Sequence, residues 1–452
     1  MNEIEKQILE RVTPSSEDRK KLETIIQEIK GKLKQEISER DLPVSIELVG
    51  STAKDTYLKD NLDIDFFLSF PTKFPKEDIA KNALSIGKKL LTDNEESYAE
   101  HPYLRGYYKY YYVEIVPCYK IEKASQKLSA VDRTPLHTKY IKENLPDSQK
   151  PEVRLFKQFL RGIGCYGAEA EIEGFSGYLC EILILKYGSY KRLIENAQNW
   201  KTGEQLALSK GKYPSFDTPL TFTDPVDINR NVASALSKEK FDFFKRACRE
   251  YLKKPNVKFF FPNKIKPWSL EKIKEEIQKQ KCQYIGVKFD KPNVISENLY
   301  PQARKATRSI RETCERNDFT INDATFHIDG KENNIYVIVK TKDETLSETY
   351  EHMGPPTKLE KNADEFLNKW KDDLRVVKKP YEKDGRLYVE IKRDFRDIKF
   401  FLTYQIKKLS MGKHIDQIIK KKYTILETED LLKDNLAAFW TEYLDRKMPW
   451  ER

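Results

Sequence analysis

Cysteine is scarce and scattered. The six (Cys118, Cys165, Cys180, Cys248, Cys282, Cys314) contain no Cys-x-x-Cys pair. That spacing fits neither a zinc site nor a disulfide framework, so reduced thiols in an intracellular protein are expected. Long apolar runs are missing too. No stretch approaches the roughly 20 apolar residues that span a bilayer. The N-terminal MNEIEKQILERV has no apolar core for a secretory signal. Internal repeats and low-complexity tracts are absent. These absences predict a soluble, cytoplasmic protein with no membrane partner.

What is present points to packed domains. Charged residues make up 34% of the chain, a polarity compatible with disorder, but 12% aromatics (25 Tyr and 23 Phe) argue for cores. A length of 452 residues exceeds one ordinary core and suggests about three domains. The net charge of +10 favours a polyanionic partner only weakly.

Pattern then divides the chain. Residues 1–40 carry helical periodicity, with a start signal at Pro14-Ser15-Ser16-Glu17-Asp18 and an apolar face at Ile25, Ile26, Ile29 and Leu33. The strand SIELVG, a helical stretch after Ser51, the strand LDIDFFLSF (62–70), a helix over 77–93 and one strand over 107–117 (YYKYYYVEIVP) make a mixed α/β domain ending near 150. Residues 152–255 read as mostly helical, and 257–268 as a linker. Beyond it come a short helix, the strand YIGVKFD, a helix over 298–316, a hairpin about Asp329-Gly330, a strand over 385–393, and helix again over 396–452.

The chemistry is carried by LDIDFFLSF. Side chains alternate in a strand, so Asp63 and Asp65 share a face about 7 Å apart, while Ile64, Phe66, Leu68 and Phe70 fill a core on the other. Two such acids can share divalent cations, because hard Mg²⁺ takes oxygen ligands. YYYVEIVPC offers a third acid, Glu114, from another strand. Alone, the Asp pair reads more readily as a solvated strand edge. The upstream context favours a site: Gly50-Ser51 follows an apolar strand and marks a tight turn opening a helix, where backbone N–H groups and a hydroxyl can hold phosphate.

With these motifs in view, the sequence resembles the nucleotidyltransferase superfamily of DNA polymerase β and poly(A) polymerases. It is more closely similar to the archaeal-type (class I) CCA-adding enzymes, tRNA nucleotidyltransferases. GSTAKDTYLKDNLDIDFFLSF, VEIVPCYKI, SAVDRTPLHTKYI, EVRLFKQFLRGIGCYGAE, GFSGYLCEILILKYGSY, DPVDINRNVASALS, VKFDKPNV, ENLYPQ and HMGPP stand in family order over about residues 50–356. The resemblance implies an α+β multidomain fold: a polymerase β-like catalytic head (1–150), a helical neck (151–262), a mixed α/β body (263–300 and 395–452) and an α+β tail that binds tRNA (301–394).

It also implies roles. Asp63, Asp65 and Glu114 are the expected catalytic metal ligands for two Mg²⁺ ions. Gly50, Ser51 and Lys54 would hold the triphosphate. Thr134, His137, Lys157 and Tyr166 fall where the family binds nucleotide, and Arg230 where a neck arginine reads the base. Taken alone, His137 reads as a surface histidine in a loop, Lys157 as a solvated helix lysine, Tyr166 as neck core and Arg230 as a helix-start surface residue. Two positions depart from the family: Glu114 stands where Asp is usual, and Lys54 where Arg is common, replacing a directional fork with a point charge.

The implied reaction is template-independent addition or repair of the 3′-terminal C-C-A of tRNA from CTP and ATP, with pyrophosphate release. The expected partner is the acceptor end and upper half of tRNA, bound by a monomer or homodimer. Mixed basic and aromatic stretches such as IKRDFRDIKFFLTYQIKKLSMGKHIDQIIKKKY suit phosphate contact, and HMGPP reads as a turn that could approach RNA backbone or simply end an element. Two rival readings are a related template-free nucleotidyltransferase (a poly(A) polymerase or an oligonucleotide second-messenger synthetase) and a catalytically dead RNA-binding protein.

Overall fold

In the computed structural model, the start signal at Ser15 is a capping box, its hydroxyl and Asp18 each serving the other's backbone N–H. The structure describes residues 1–60, 62–98, 101–342 and 345–452; Asn61 of the first motif lies outside them. Two units emerge, residues 1–264 with 447–452, and residues 265–446.

The first unit begins with α1 (Glu3–Val12) and α2 (Ser16–Glu39). There follow β1 (Ser45–Val49), the one-turn α3 (Gly50–Lys54), β2 (Asp63–Phe70), α4 (Lys76–Leu90), β3 (Thr92–Tyr98), β4 (Pro102–Tyr108) and β5 (Tyr111–Tyr119). These strands form one sheet in the order β1-β2-β5-β4-β3. β2 and β5 run parallel, and the other pairs are antiparallel. Ile64, Phe66, Leu68 and Phe70 bury one face of β2 against Ile25, Ile29 and Leu33 of α2 and Ile79, Ala83 and Ile86 of α4. The expected alternation of β2 holds.

Two expectations in this region need correction. The stretch 107–117 is two strands, β4 and β5, not one: the chain turns at Lys109, in the left-handed region at φ 55°, and at Tyr110, 96% exposed. Consecutive tyrosines conceal a turn made without Gly, Pro or Asn. The helix predicted over 77–93 ends at Leu90, and β3 follows. β3 is a polar edge strand (TDNEESY) and buries no face, so no alternation betrays it.

The rest of the unit carries the helices α5 (Thr134–Asn144), α6 (Lys150–Gly162), α7 (Gly177–Tyr187), α8 (Tyr190–Ala197) and α9 (Lys238–Lys253), with the short strands β6 (Glu204–Leu206) and β7 (Leu220–Phe222). Residues 198–237 hold no helix, which corrects the expectation of mostly helix over 152–255. One aromatic-rich core joins them. The predicted linker is partly core: Phe259 and Phe260 are buried, and Phe259 stacks on Trp450 with centroids 4.8 Å apart. The last six residues, grouped above with the body, therefore pack in the first unit.

The second unit contains α10 (Leu270–Lys279), β8 (Gln283–Asp290), α11 (Ser296–Glu315), β9 (Ile321–Asp329), β10 (Asn334–Thr341), β11 (Thr349–Pro356), α12 (Glu360–Trp370), β12 (Val376–Lys383), β13 (Arg386–Lys392), α13 (Ile398–Gln405), α14 (Lys413–Lys421), β14 (Thr424–Leu426) and α15 (Ala437–Leu444). It has a four-stranded sheet (β14-β8-β10-β9) and a three-stranded one (β11-β13-β12). The hairpin at Asp329-Gly330 is the β9–β10 connection. HMGPP is not a turn: it lies in β11, paired with β13 through a register shift between Met353 and Pro356. Among the described residues, no helix is long and apolar enough to cross a membrane.

Candidate active site

Parallel pairing of β2 with β5 sets Asp65 directly beside Glu114. Asp63 lies two residues away on the same face of β2. Further along that face Phe67, Val116 and Cys118 close over with Val49 in a small apolar cluster. The acids thus occupy only the open end of the strand pair. Gly50, at φ 71°, begins α3 against them, and a Cβ there would lie 1.9 Å from Asp65 Oδ2. Only glycine lets the turn pass the carboxylate.

None of the three acids has a hydrogen bond or ion pair among the described residues. Burial and the charges of Glu114 and Asp63 push Asp65 up to about 7. Burial and Asp63 push Glu114 up to about 7, against the attraction of Arg105. Burial raises Asp63 as well. Such a surplus of negative charge fits bound cations, and all-oxygen donors suit hard divalent ions. The acids spread along two strands; among the described residues no three His, Cys, Asp or Glu side chains close into a single-ion cage.

A second carboxylate site faces this one. Glu181 of α7 is fully buried and takes Lys54 Nζ at 2.6 Å and the Thr56 hydroxyl at 2.5 Å. Lys157 of α6, 1% exposed, lies 3.6 Å from Glu181 and donates to the Thr56 carbonyl at 3.1 Å. Burial alone would raise Glu181, but the charges of Lys54 and Lys157 hold it below the usual carboxylate range. Buried Arg154 latches the same loop, donating to the carbonyls of Asp55 and Tyr57 at 2.6 and 3.0 Å. Half-buried Tyr166 completes this wall: a Cβ on Gly177 would meet its hydroxyl at 3.2 Å and Lys157 Nζ at 3.7 Å.

The third group centres on Asp224, also fully buried. Its Oδ2 lies 2.9 Å from both His137 Nε2 and Arg230 Nη1. Its Oδ1 accepts from the Tyr178 hydroxyl and the Val226 N–H, both at 3.1 Å. Burial would raise Asp224, but the His137 hydrogen bond and charge, the Val226 N–H and Arg230 bring it down to about 2. Burial lowers His137, against the hydrogen bond and charge of Asp224, and an N–H on Nε2 donates to the carboxylate. The His137 and Tyr178 rings stack at 4.1 Å, and Lys54 Nζ lies 6.0 Å from the Tyr178 ring. The same Lys54 acts on Asp65, so the three groups adjoin.

The structure therefore gathers Gly50, Lys54, Asp65, Glu114, His137, Lys157, Tyr166 and Arg230 around one region of the first unit. Ser51 is the second residue of α3 and Thr134 the first of α5, both half-buried. Three local expectations change. His137 sits on helix α5, not in a loop; Lys157 is buried, not solvated; Arg230 follows a turn well before α9 rather than starting a helix. Glu181, Asp224, Tyr178 and Arg154 were missed. Glu181 had a signal, a lone charge inside the apolar YLCEILIL; Asp224 opens the motif DPVDINRNVASALS, but nothing local marks it as buried.

Three family models match in chain order: a nucleotidyltransferase domain over residues 30–137, a tRNA nucleotidyltransferase second domain over 151–261, and a CCA-adding enzyme C-terminal domain over 281–428. CCA-adding enzyme from Archaeoglobus fulgidus is 35% identical over 99% of both chains. This chain belongs to the CCA-adding enzymes. Its relatives from Methanosarcina barkeri (34% identical over 95% of each chain) and Methanocaldococcus jannaschii (35%, over 92% of this chain and 94% of the relative) carry the same designation. The head is thus a nucleotidyltransferase domain in a CCA-adding enzyme of α+β multidomain build. Divalent metal use is general to that superfamily.

Proposed function

We propose that this CCA-adding enzyme extends tRNA 3′ ends with C, C and A from CTP and ATP in the site assembled by Asp63, Asp65 and Glu114. The observation that carries the reading is the contrast within one site: three acids without a cationic partner beside two lysines and an arginine held on buried carboxylates. Asp63, Asp65 and Glu114 would hold two divalent ions, Mg²⁺ in this reading, whose chemistry would be acidity for the attacking 3′-hydroxyl and charge neutralisation for the leaving pyrophosphate.

The chain's own groups orient the rest. Gly50 and Ser51 offer backbone and hydroxyl donors to the triphosphate. Lys54 and Lys157 place positive charge there, fixed in advance by Glu181, so little reorganisation accompanies reaction. His137, Thr134 and Tyr166 line the ribose and phosphates, and Arg230 reads acceptor atoms that cytosine and adenine both present. A hydrogen-bonding pocket rejects the wrong pattern strongly, because its own groups are left unpaired. The RNA is held by the neck and second unit, where exposed Phe400 and Tyr404 lie with Lys408 3.5 Å from the Tyr404 ring. A cytoplasmic location belongs to the same reading, supported by six free cysteines.

The test is extension of a labelled tRNA ending at its discriminator base, with CTP, ATP, UTP and GTP supplied singly and in pairs with Mg²⁺. Two additions with CTP, and a third only with ATP present, are expected. ATP-only tailing, or products formed without tRNA, would instead identify a poly(A) polymerase-like or second-messenger activity.

A further inference from the structure

Arg230 is fixed from more directions than a surface arginine needs. Its N–H donates to the Asp227 carbonyl at 2.9 Å, and its own carbonyl accepts from the Asp224 N–H at 3.1 Å. Asn231 then pins the following residue: its Oδ1 accepts from the N–H groups of Phe222 and Ala233, both at 2.9 Å, while Thr223 and Asn231 bridge as a β pair. The side chain is tied at one nitrogen only, Nη1, and keeps 29% of its surface exposed. The rest of the fork has no bonded partner among the described residues.

Asp224 itself is not free to adapt. Tyr178 of α7 and the Val226 N–H hold one oxygen; His137 of α5 and Arg230 share the other. Two helices and one loop thereby converge on a single carboxylate. A guanidinium is planar, so fixing one nitrogen against a rigid acceptor fixes the direction of the remaining donors. We propose that Asp224 is a positioning residue for base selectivity, anchoring Arg230 and His137 so that the unbonded donors of Arg230 meet the incoming nucleobase in one orientation. This rests on the reading of Arg230 given above.

The test compares Asp224→Asn, Arg230→Ala and the double variant in single-nucleotide incorporation on the full chain with tRNA and Mg²⁺. In Asp224→Asn one accepting oxygen becomes an NH₂ that faces two donors, and the remaining oxygen is uncharged, so the guanidinium loses its fixed, charged seat. The ratio of kcat/KM for CTP over UTP, and for ATP over GTP, is expected to fall on the order of 10- to 100-fold, the scale of a misplaced contact. Affinity for tRNA stays within about 2-fold of the parent, since the anchor touches no phosphate contact of the second unit. A merely structural role would lower incorporation of all four nucleotides alike, and that result overturns the proposal.

Arg230→Ala separates the two ideas. If it leaves the ratios intact, Arg230 does not read the base and the underlying assignment fails. If it lowers them and Asp224→Asn does not, positioning alone fails. The double variant is expected to match Arg230→Ala in selectivity, because an anchor has no effect without the group it anchors; a further fall would overturn it. Should Asp224→Asn not fold, Asp224→Glu keeps the charge and displaces it by one methylene. An intermediate ratio supports positioning, and parent-like ratios or uniform loss reject it.

Discussion

Glu181 and Asp224 are fully buried, yet each is held below the usual carboxylate range; Asp65 is only half-buried and Asp63 exposed, yet both are pushed up, Asp65 to about 7. Depth does not separate the two sets. Company does. Glu181 has Lys54, Lys157 and Thr56, and Asp224 has His137, Arg230, Tyr178 and a backbone N–H. The β2–β5 acids have mainly one another; Arg105, opposite Glu114 but ion-paired to Glu95, and Lys54, held by Glu181, act on them without a direct ion pair. One set is a finished scaffold of pre-arranged cations. The other carries negative charge without a paired cation, the property on which the proposed metal site rests.

Removing Asp65 should break the second set most completely. Asp65→Asn is expected to lower nucleotide incorporation on the order of 10³-fold or more. Without divalent metal it should also raise the thermal midpoint, because a repelling charge is gone. Unchanged incorporation would refute the metal-site assignment. Glu181→Gln attacks the finished set and should do the reverse to stability. It leaves two buried ammonium groups without their counter-charge, at a cost of about 3–5 kcal/mol, visible as a lower midpoint in metal-free buffer. A midpoint equal to the parent's would mean that the lysines are solvated and not fixed by Glu181.

The comparison sharpens with pH. Between about pH 4 and 7 the folded acids of the β2–β5 set bind more protons than the unfolded chain does, so stability in a chelator should fall as pH rises through that window. Its size is on the order of 2–4 kcal/mol. Excess divalent metal should flatten the slope by replacing protons as counter-charge. Glu181 and Asp224 have the opposite sign: their stabilisation is present at neutral pH and lost as pH falls, for Asp224 between about 4 and 2. A chelated protein whose stability rises steadily from pH 4 to 7 would contradict the assignment of the raised acids. The smallest effect is expected for Glu114→Asp, with initial rates in Mg²⁺ within about 10-fold of the parent. Complete loss would mean that β5 is placed for the longer side chain.

Legibility followed the range of the interactions. Asp63 and Asp65 could be read because strand alternation is local, and Gly50 because a glycine before a polar helix start marks a tight turn. The β4–β5 turn escaped notice because Lys109 adopts a positive φ that tyrosine-rich sequence does not announce. β3 escaped because an exposed edge strand needs no apolar pattern. Asp224 escaped notice for a third reason: Arg230 lies only six positions on, but Tyr178 and His137 lie 46 and 87 positions away. No local window joins all three.

By itself the sequence determined the class of chemistry, the buried face of β2, the helices at the two ends of residues 152–255 and, through motif resemblance, the family. Those features depend on residue type and on spacings of two to four residues, which the backbone repeats impose wherever the segment lies. Only the tertiary structure decided which charges are compensated. Whether a carboxylate is a scaffold or a ligand depends on cations brought to within about 3 Å by other helices and loops, because Coulomb attraction must offset desolvation at short range. That distance belongs to the packing of α5, α6 and α7 around the sheet, and no local pattern encodes it.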